Sequence, residues 1–171
     1  IEYVEIIEII RAIIESYFFN IEEKQKNNKI ISVISVLRDS FIDKKYEFVI
    51  DNNIKVIVNC AAYTNVDKAE EDYDTALEIN YGGVCKLTDV CREFDIYLIH
   101  ISTDYVFNGR SHRPYITFSE CDPICNYGTT KWLGECYALE YEKAIIIRTS
   151  WLYSEYGKNF YRTMINRIID K

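Results

Sequence analysis

The chain has 171 residues, 49% of them apolar and 27% charged, enough to bury the core of one domain and too apolar for a disordered tract. Its net charge is −7 and it holds no block of Lys and Arg, which excludes a nucleic-acid surface, so an anionic ligand would have to be held by local donors. Glycine and proline are scarce, six and two residues, and that scarcity bears on any loop built to cradle a phosphate.

Residues 1–19 read as an amphipathic helix, with apolar side chains at 6, 7, 10, 13, 14, 17 and 18 and Glu2, Glu5 and Glu8 on another face. Those charges, with Arg11 and Glu15, argue against a signal peptide and a membrane span. The chain opens on Ile1 and not Met, as a fragment would. Residues 20–29 are a polar connector, and 30–37 (IISVISVL) are rich in β-branched residues and predict a strand. A short helix is expected over 43–52. Residues 55–61 (KVIVNCA) form the nearly continuous apolar run of a buried parallel strand.

Residues 74–94 have a helical pattern, although Gly82 and Gly83 weaken its middle by about 1 kcal/mol each relative to alanine. Another buried strand is expected over 96–102 (IYLIHIS), then turns marked by Asn108-Gly109, Pro114 and Pro123. A helix over 127–141, a strand over 144–149 (AIIIRT) and a helix over 159–169 complete the chain. Strands alternating with helices predict a doubly wound, Rossmann-like α/β fold around a parallel sheet, as a single domain over 1–171. Ligands of such sheets sit at the carboxyl ends of the strands, so the residues that follow each strand carry the functional information.

The six cysteines, Cys60, Cys85, Cys91, Cys121, Cys125 and Cys136, show neither C-x-x-C spacing nor a zinc pattern. No metal site is expected; reduced thiols in a cytoplasmic protein are.

Tyr127 and Lys131 stand four apart on a predicted helix and so share a face. A phenol with a pKa of about 10 is a poor proton donor near neutrality, and a nearby ammonium lowers that value. Such a tyrosine can protonate a carbonyl oxygen as hydride reaches the carbon. In a chain this rich in Tyr and Lys, the pair alone has little specificity. Ser102-Thr103-Asp104-Tyr105 directly follows the strand at 96–101, placing the Thr103 hydroxyl where it could bond the same oxygen. The plainer alternative for Thr103 and Asp104 is a turn or cap. Asn59-Cys60-Ala61-Ala62-Tyr63-Thr64 follows another buried strand, and its small residues would admit a flat cofactor, or would simply pack tightly.

Four ordered blocks, VNCAAYTNVDKAE (58–70), HISTDYVFNG (100–109), YGTTKWLGE (127–135) and RTSWLY (148–153), resemble the dTDP-4-dehydrorhamnose reductase family of extended short-chain dehydrogenases/reductases, over about residues 54–165. The resemblance implies a nicotinamide cofactor, NADPH or NADH, and a nucleotide-sugar substrate in a cytoplasmic enzyme that can form a homodimer. By the same resemblance Tyr127 is the catalytic acid, Lys131 its pKa-lowering and ribose-binding partner, and Thr103 the hydroxyl that polarises the substrate carbonyl. Asp104 resembles a substrate contact. Ala61, Ala62 and Tyr63 resemble the segment along the cofactor. Trp151 resembles a sugar- or nucleotide-facing residue, with an ordinary core aromatic as the alternative. His100 reads as structural, and Asp67 and Lys68 as a local salt bridge or helix cap.

The chain departs from the family in two places. Members open with a strand and a Gly-x-x-Gly-x-x-Gly turn whose N–H groups hold the cofactor pyrophosphate, whereas no glycine precedes Gly82 here. They also continue for roughly another hundred residues of substrate lobe beyond the point corresponding to Lys171. The domain is thus expected to lack the first strand and glycine-rich loop, and this polypeptide to bind nicotinamide cofactor weakly or not at all. The reductase reading, yielding dTDP-L-rhamnose, stands beside a non-catalytic regulatory subunit related to the methionine adenosyltransferase beta subunit, and beside an inactive fragment.

Overall fold

The computed structural model describes residues 30–33, 54–151 and 160–169. Four strands lie side by side in chain order, every pair parallel: β1 (Ile30–Val33), β2 (Val56–Asn59), β3 (Tyr97–Thr103) and β4 (Ala144–Thr149). Parallel neighbours cannot be joined by a hairpin and need a crossover, usually helical. Between β2 and β3 the chain runs through α1 (Tyr73–Leu77), a π-helical turn (Glu78–Gly82) and α2 (Gly83–Glu93). Between β3 and β4 it runs through α3 (Asn126–Leu139). The result is the expected Rossmann-like parallel α/β sheet.

Strand β3 runs one residue further than the apolar pattern suggests, so Thr103 is its last residue and pairs with Thr149 on β4. Strand β2 is shorter than its apolar run, ending at Asn59, whose side chain turns to local hydrogen bonding. The helical pattern over 74–94 is helical as far as Glu93, but the glycine pair marks a change of winding: Gly82 closes the π turn and Gly83 opens α2. A π turn carries one extra residue within the helix, and the residue at its centre here, Asn80, is buried. The expected helix at 1–19, the connector at 20–29, residues 34–37 of the first strand and the helix at 43–52 lie outside the described residues.

One core cluster joins Ile54 and Ile57 at β2, Val84 and Leu87 on α2, Ile96 and Leu98 at β3. Burying each such side chain contributes about 1.5–3 kcal/mol. Tyr141, just past α3, is held over this cluster by its hydroxyl, which donates to the carbonyls of Cys91 (3.0 Å) and Ile96 (2.9 Å). A second, smaller cluster of Ala69, Ala76 and Tyr127, with Tyr63, Val66 and Cys125 packed against it, lies toward the carboxyl ends of the strands.

Asn28–Thr149 forms one compact unit, containing the whole sheet and α1–α3. Ser150–Lys171 belongs to a second, in which the described residues are Ser150, Trp151 and α4 (Phe160–Ile169). None of the six cysteines forms a disulfide. No helix among the described residues is long and apolar enough to cross a membrane.

Candidate functional site

Helix α3 organises the site, and three contacts fix its first turn. Cys125, extended at φ −138°, caps the helix, its Sγ accepting from Gly128 N–H at 3.4 Å. Glu70 Oε1 accepts from the Asn126 N–H at 2.8 Å, and Asn126 Nδ2 donates to the Ala69 carbonyl at 3.3 Å. These satisfy donors that a helix start leaves without intrahelical partners, and Glu70 places negative charge at the positive end of the helix dipole. Gly128 lets the helix approach the turn after β3: a Cβ there would lie 2.3 Å from the Tyr105 carbonyl oxygen.

A spacing of four then puts Tyr127, Lys131 and Glu135 on one buried face. Glu135, only 1% exposed, receives Arg148 from β4 in a forked pair, with Nε at 3.1 and 3.0 Å and Nη2 at 2.6 Å. Such bidentate geometry fixes orientation as well as charge. Further along the same helix, Gly134 meets the π turn so closely that a Cβ would lie 2.4 Å from the Asn80 carbonyl.

Thr103, at the end of β3, caps the 3-10 turn Asp104–Val106: its Oγ1 accepts from Tyr105 N–H at 3.2 Å and donates to Asp104 Oδ1 at 3.3 Å. The capping alternative for Thr103 therefore describes a real contact. The same hydroxyl also reaches the Tyr127 phenol. Burial pushes the phenol above its ordinary value; the Thr103 hydrogen bond pulls the other way, and the charge of Asp104 adds a smaller upward push. The expected lowering by Lys131 is not what governs Tyr127 in this structure. Lys131 Nζ instead donates to the Ile101 carbonyl at 2.8 Å and faces His100 Nε2 at 3.4 Å. Its own burial, at 2% exposed, brings Lys131 down to about 8. Tyr127 is thus a protonated phenol at neutral pH, beside a lysine that titrates unusually low.

The segment after β2 is tied to the same place. Ala61 N–H donates to Asn59 Oδ1 at 3.1 Å, and Ala61, Ala62 and Tyr63 are half-buried. Asn80 clamps Tyr63 from both sides, its Oδ1 accepting from Tyr63 N–H at 2.8 Å and its Nδ2 donating to the Tyr63 carbonyl at 3.2 Å. The same Nδ2 contacts Thr130 Oγ1 on α3 at 3.0 Å, so Asn80 links the segment to the helix carrying Tyr127 and Lys131. Tyr63 OH donates to Asp72 Oδ2 at 3.3 Å.

Thr103, Asp104, Tyr127, Lys131 and Tyr63 thus converge within Asn28–Thr149. Trp151 belongs to the second unit; it is 71% exposed and has left-handed backbone, φ 51°, uncommon for a non-glycine residue. In the 58–70 block, Asp67 makes no side-chain cap. The capping roles there fall to Asn65, accepting from Lys68 N–H at 3.0 Å, and to Glu70. Asn59, Asn80, Glu70 and Glu135 carry structure that motif reading did not single out. Asn59 does leave a signal: a polar residue in the middle of a buried apolar run needs a partner.

The chain matches the family model described as RmlD substrate binding domain over residues 25–171. It is 47% identical over 111 residues to a dTDP-4-keto-6-deoxy-D-glucose reductase from Streptomyces niveus, covering 64% of this chain and 38% of that protein. It is 42% identical over 111 residues to the dTDP-4-dehydrorhamnose reductase of Escherichia coli K12, covering 64% of this chain and 37% of the relative. The crystal structure of the Bacillus anthracis dTDP-4-dehydrorhamnose reductase in complex with NADP superposes with a TM-score of 0.72 at 39% identity, over 76% of this chain and 47% of that one. The chain spans less than two fifths of the length of these two sequence relatives. With the model match covering most of its length, the chain belongs to the dTDP-4-dehydrorhamnose reductase family.

Proposed function

We propose that the protein reduces the 4-keto group of dTDP-4-dehydro-6-deoxy-L-mannose (dTDP-4-dehydrorhamnose) to give dTDP-L-rhamnose, with NADPH or NADH as reductant. The observation that carries this reading is the meeting of the Thr103 hydroxyl and the buried, protonated Tyr127 phenol at the end of β3, beside Lys131. Two hydroxyls at one point suit a single carbonyl oxygen; the phenol is in the protonated form a donor needs, and the Thr103 hydrogen bond lowers its pKa against the upward push of burial.

The donor set suits the nicotinamide-ribose end of a dinucleotide. Lys131 and Tyr127 supply hydrogen-bond donors to hydroxyls, and Ala61 and Ala62 offer backbone with little side chain in the way. When bound, the reduced nicotinamide supplies a hydride to the carbonyl carbon. Thr103 and Tyr127 hold the carbonyl oxygen, Tyr127 gives up its phenolic proton to it, and the Thr103 hydroxyl, whose hydrogen bond favours the phenolate, stabilises what remains. Asp104, beside Thr103, is the proposed sugar contact. Residues 1–81 hold no glycine, so a glycine-rich turn for the pyrophosphate is not drawn from this stretch.

The test is to supply the 4-keto nucleotide sugar with nicotinamide cofactor deuterated at the transferable position. The reading expects a dTDP-6-deoxyhexose carrying deuterium at C4. Turnover of cofactor without label at C4, or no product at saturating concentrations of both reactants, would sink it.

A further inference from the structure

Two polar side chains sit in the buried centre of the sheet, and they form a chain that ends on Lys131. Asn59 closes β2 and His100 lies opposite it in register on β3. Both are buried, Asn59 at 2% and His100 at 0% exposed. Asn59 Oδ1 accepts from the Ala61 N–H at 3.1 Å, which fixes the orientation of its amide. Its Nδ2, which can only donate, then lies 3.0 Å from His100 Nδ1. This contact makes His100 Nδ1 an acceptor and puts the ring proton on Nε2, against the opposing pull of the Asn59 backbone carbonyl, which favours a ring N–H. That nitrogen is the one that faces Lys131 Nζ at 3.4 Å.

We propose that Asn59 and His100 are positioning residues that lock one imidazole tautomer, so that Lys131 meets an N–H donor in place of a lone pair and its neutral amine is favoured over the ammonium. An ammonium has three donors and no acceptor, so toward an Nε2–H it finds no partner. A neutral amine has a lone pair to receive that N–H while still donating to the Ile101 carbonyl, 2.8 Å away. The remaining groups around Lys131 act the other way. Glu135, one turn along α3 and held by Arg148, and Cys60, after β2, both favour the charged form, yet Lys131 still titrates low, with burial the larger cause. Burial and the neighbouring Lys131 also hold His100 well below its ordinary value, so the ring stays neutral. The pair places the Ala61 N–H, in the segment proposed to lie along the cofactor, two hydrogen bonds and one N–H contact from Lys131. The mechanistic meaning, a lysine poised to exchange a proton near neutral pH during turnover, rests on the reductase reading. The tautomer and its effect on Lys131 do not.

The experiment is nuclear magnetic resonance on the protein without cofactor or substrate, with 15N in the histidine rings and 13C at lysine Cε. Parent protein should show His100 protonated on Nε2 alone from about pH 6 to pH 9, and a Lys131 midpoint near 8. In Asn59→Asp the carboxylate can only accept, so the ring proton should move to Nδ1, Nε2 should become an acceptor for the ammonium, and the Lys131 midpoint should rise by a unit or more, a tenfold change. A parent ring protonated on Nδ1 would overturn the proposal even if the variant failed to fold. A variant whose Lys131 midpoint rose while its ring proton stayed on Nε2 would overturn it too, because added carboxylate charge would then explain the shift. Neither readout involves turnover, so their failure is separate from failure of the reductase reading.

Discussion

Lys131 Nζ donates to the carbonyl of Ile101 across 2.8 Å from a position in which the residue is only 2% exposed. A charge this deep weakens the fold. In the unfolded chain the lysine titrates near its ordinary 10.5, and in the fold at about 8. Between these values the unfolded state binds more protons, so stability rises with pH across that window. Below pH 8 the penalty is fully present, at about 3 kcal/mol. Lys131→Met should therefore be more stable than the parent at pH 7 by about 2 kcal/mol, after about 1 kcal/mol is given back for the lost hydrogen bond. Urea unfolding at a series of pH values checks this: the advantage should shrink as pH rises from 8 toward 10.5. An advantage that does not change with pH would show that Lys131 is not held at a depressed value.

The two glycines at 82 and 134 should respond oppositely to alanine. At Gly134 a Cβ would lie 2.4 Å from the Asn80 carbonyl, so α3 and the π turn must separate, at about 1–3 kcal/mol. The separation should also loosen the Asn80 clamp, seen as faster amide exchange at Tyr63, whose N–H donates to Asn80. At Gly82 the nearest atom is 4.0 Å away, and alanine should stabilise by about 0.5–1 kcal/mol through lower backbone entropy in the unfolded chain. Thermal melts of the two variants check the contrast. Equal effects at both sites would mean that α3 does not approach the π turn as described.

Arg148 is the partner of a carboxylate that is 1% exposed. Arg148→Met should cost about 3–5 kcal/mol, because Glu135 is left buried and unpaired. Adding Glu135→Gln should recover part of that loss. A double-mutant cycle by chemical denaturation measures the coupling. If the second substitution made the protein less stable still, the pair would not be what joins α3 to β4.

From residue 54 to 149 the order of strands and helices was legible because parallel strands buried on both faces leave continuous apolar runs, as at 55–61 and 144–149. The site was legible where spacing carries geometry: Tyr127 and Lys131 must share a helix face, and Thr103 must end a strand. Two things could not be read this way. The π turn at Glu78–Gly82 shows only as a glycine pair, and a propensity argument takes that pair as weakness when it in fact adjoins a change of winding around Asn80. The direction of the phenol's shift could not be read either, because spacing places the Lys131 backbone but not its ammonium, which turns to Ile101. His100 fits the structural reading as far as burial goes, but its partner on Lys131 depends on pairing between β2, β3 and α3, which no local pattern encodes.

The central claim is that Tyr127 is the acid of a carbonyl-reducing centre. Tyr127→Phe removes one oxygen from a residue that is 9% exposed and leaves its ring packing against Tyr105, 5.5 Å away between centroids, unchanged. With dTDP-4-dehydrorhamnose and saturating NADPH, followed by loss of nicotinamide absorbance, the variant should lose about 10²–10⁴-fold in kcat. Its thermal stability should stay close to that of the parent. A Tyr127→Phe protein that reduces the sugar at the parent's rate would contradict the account.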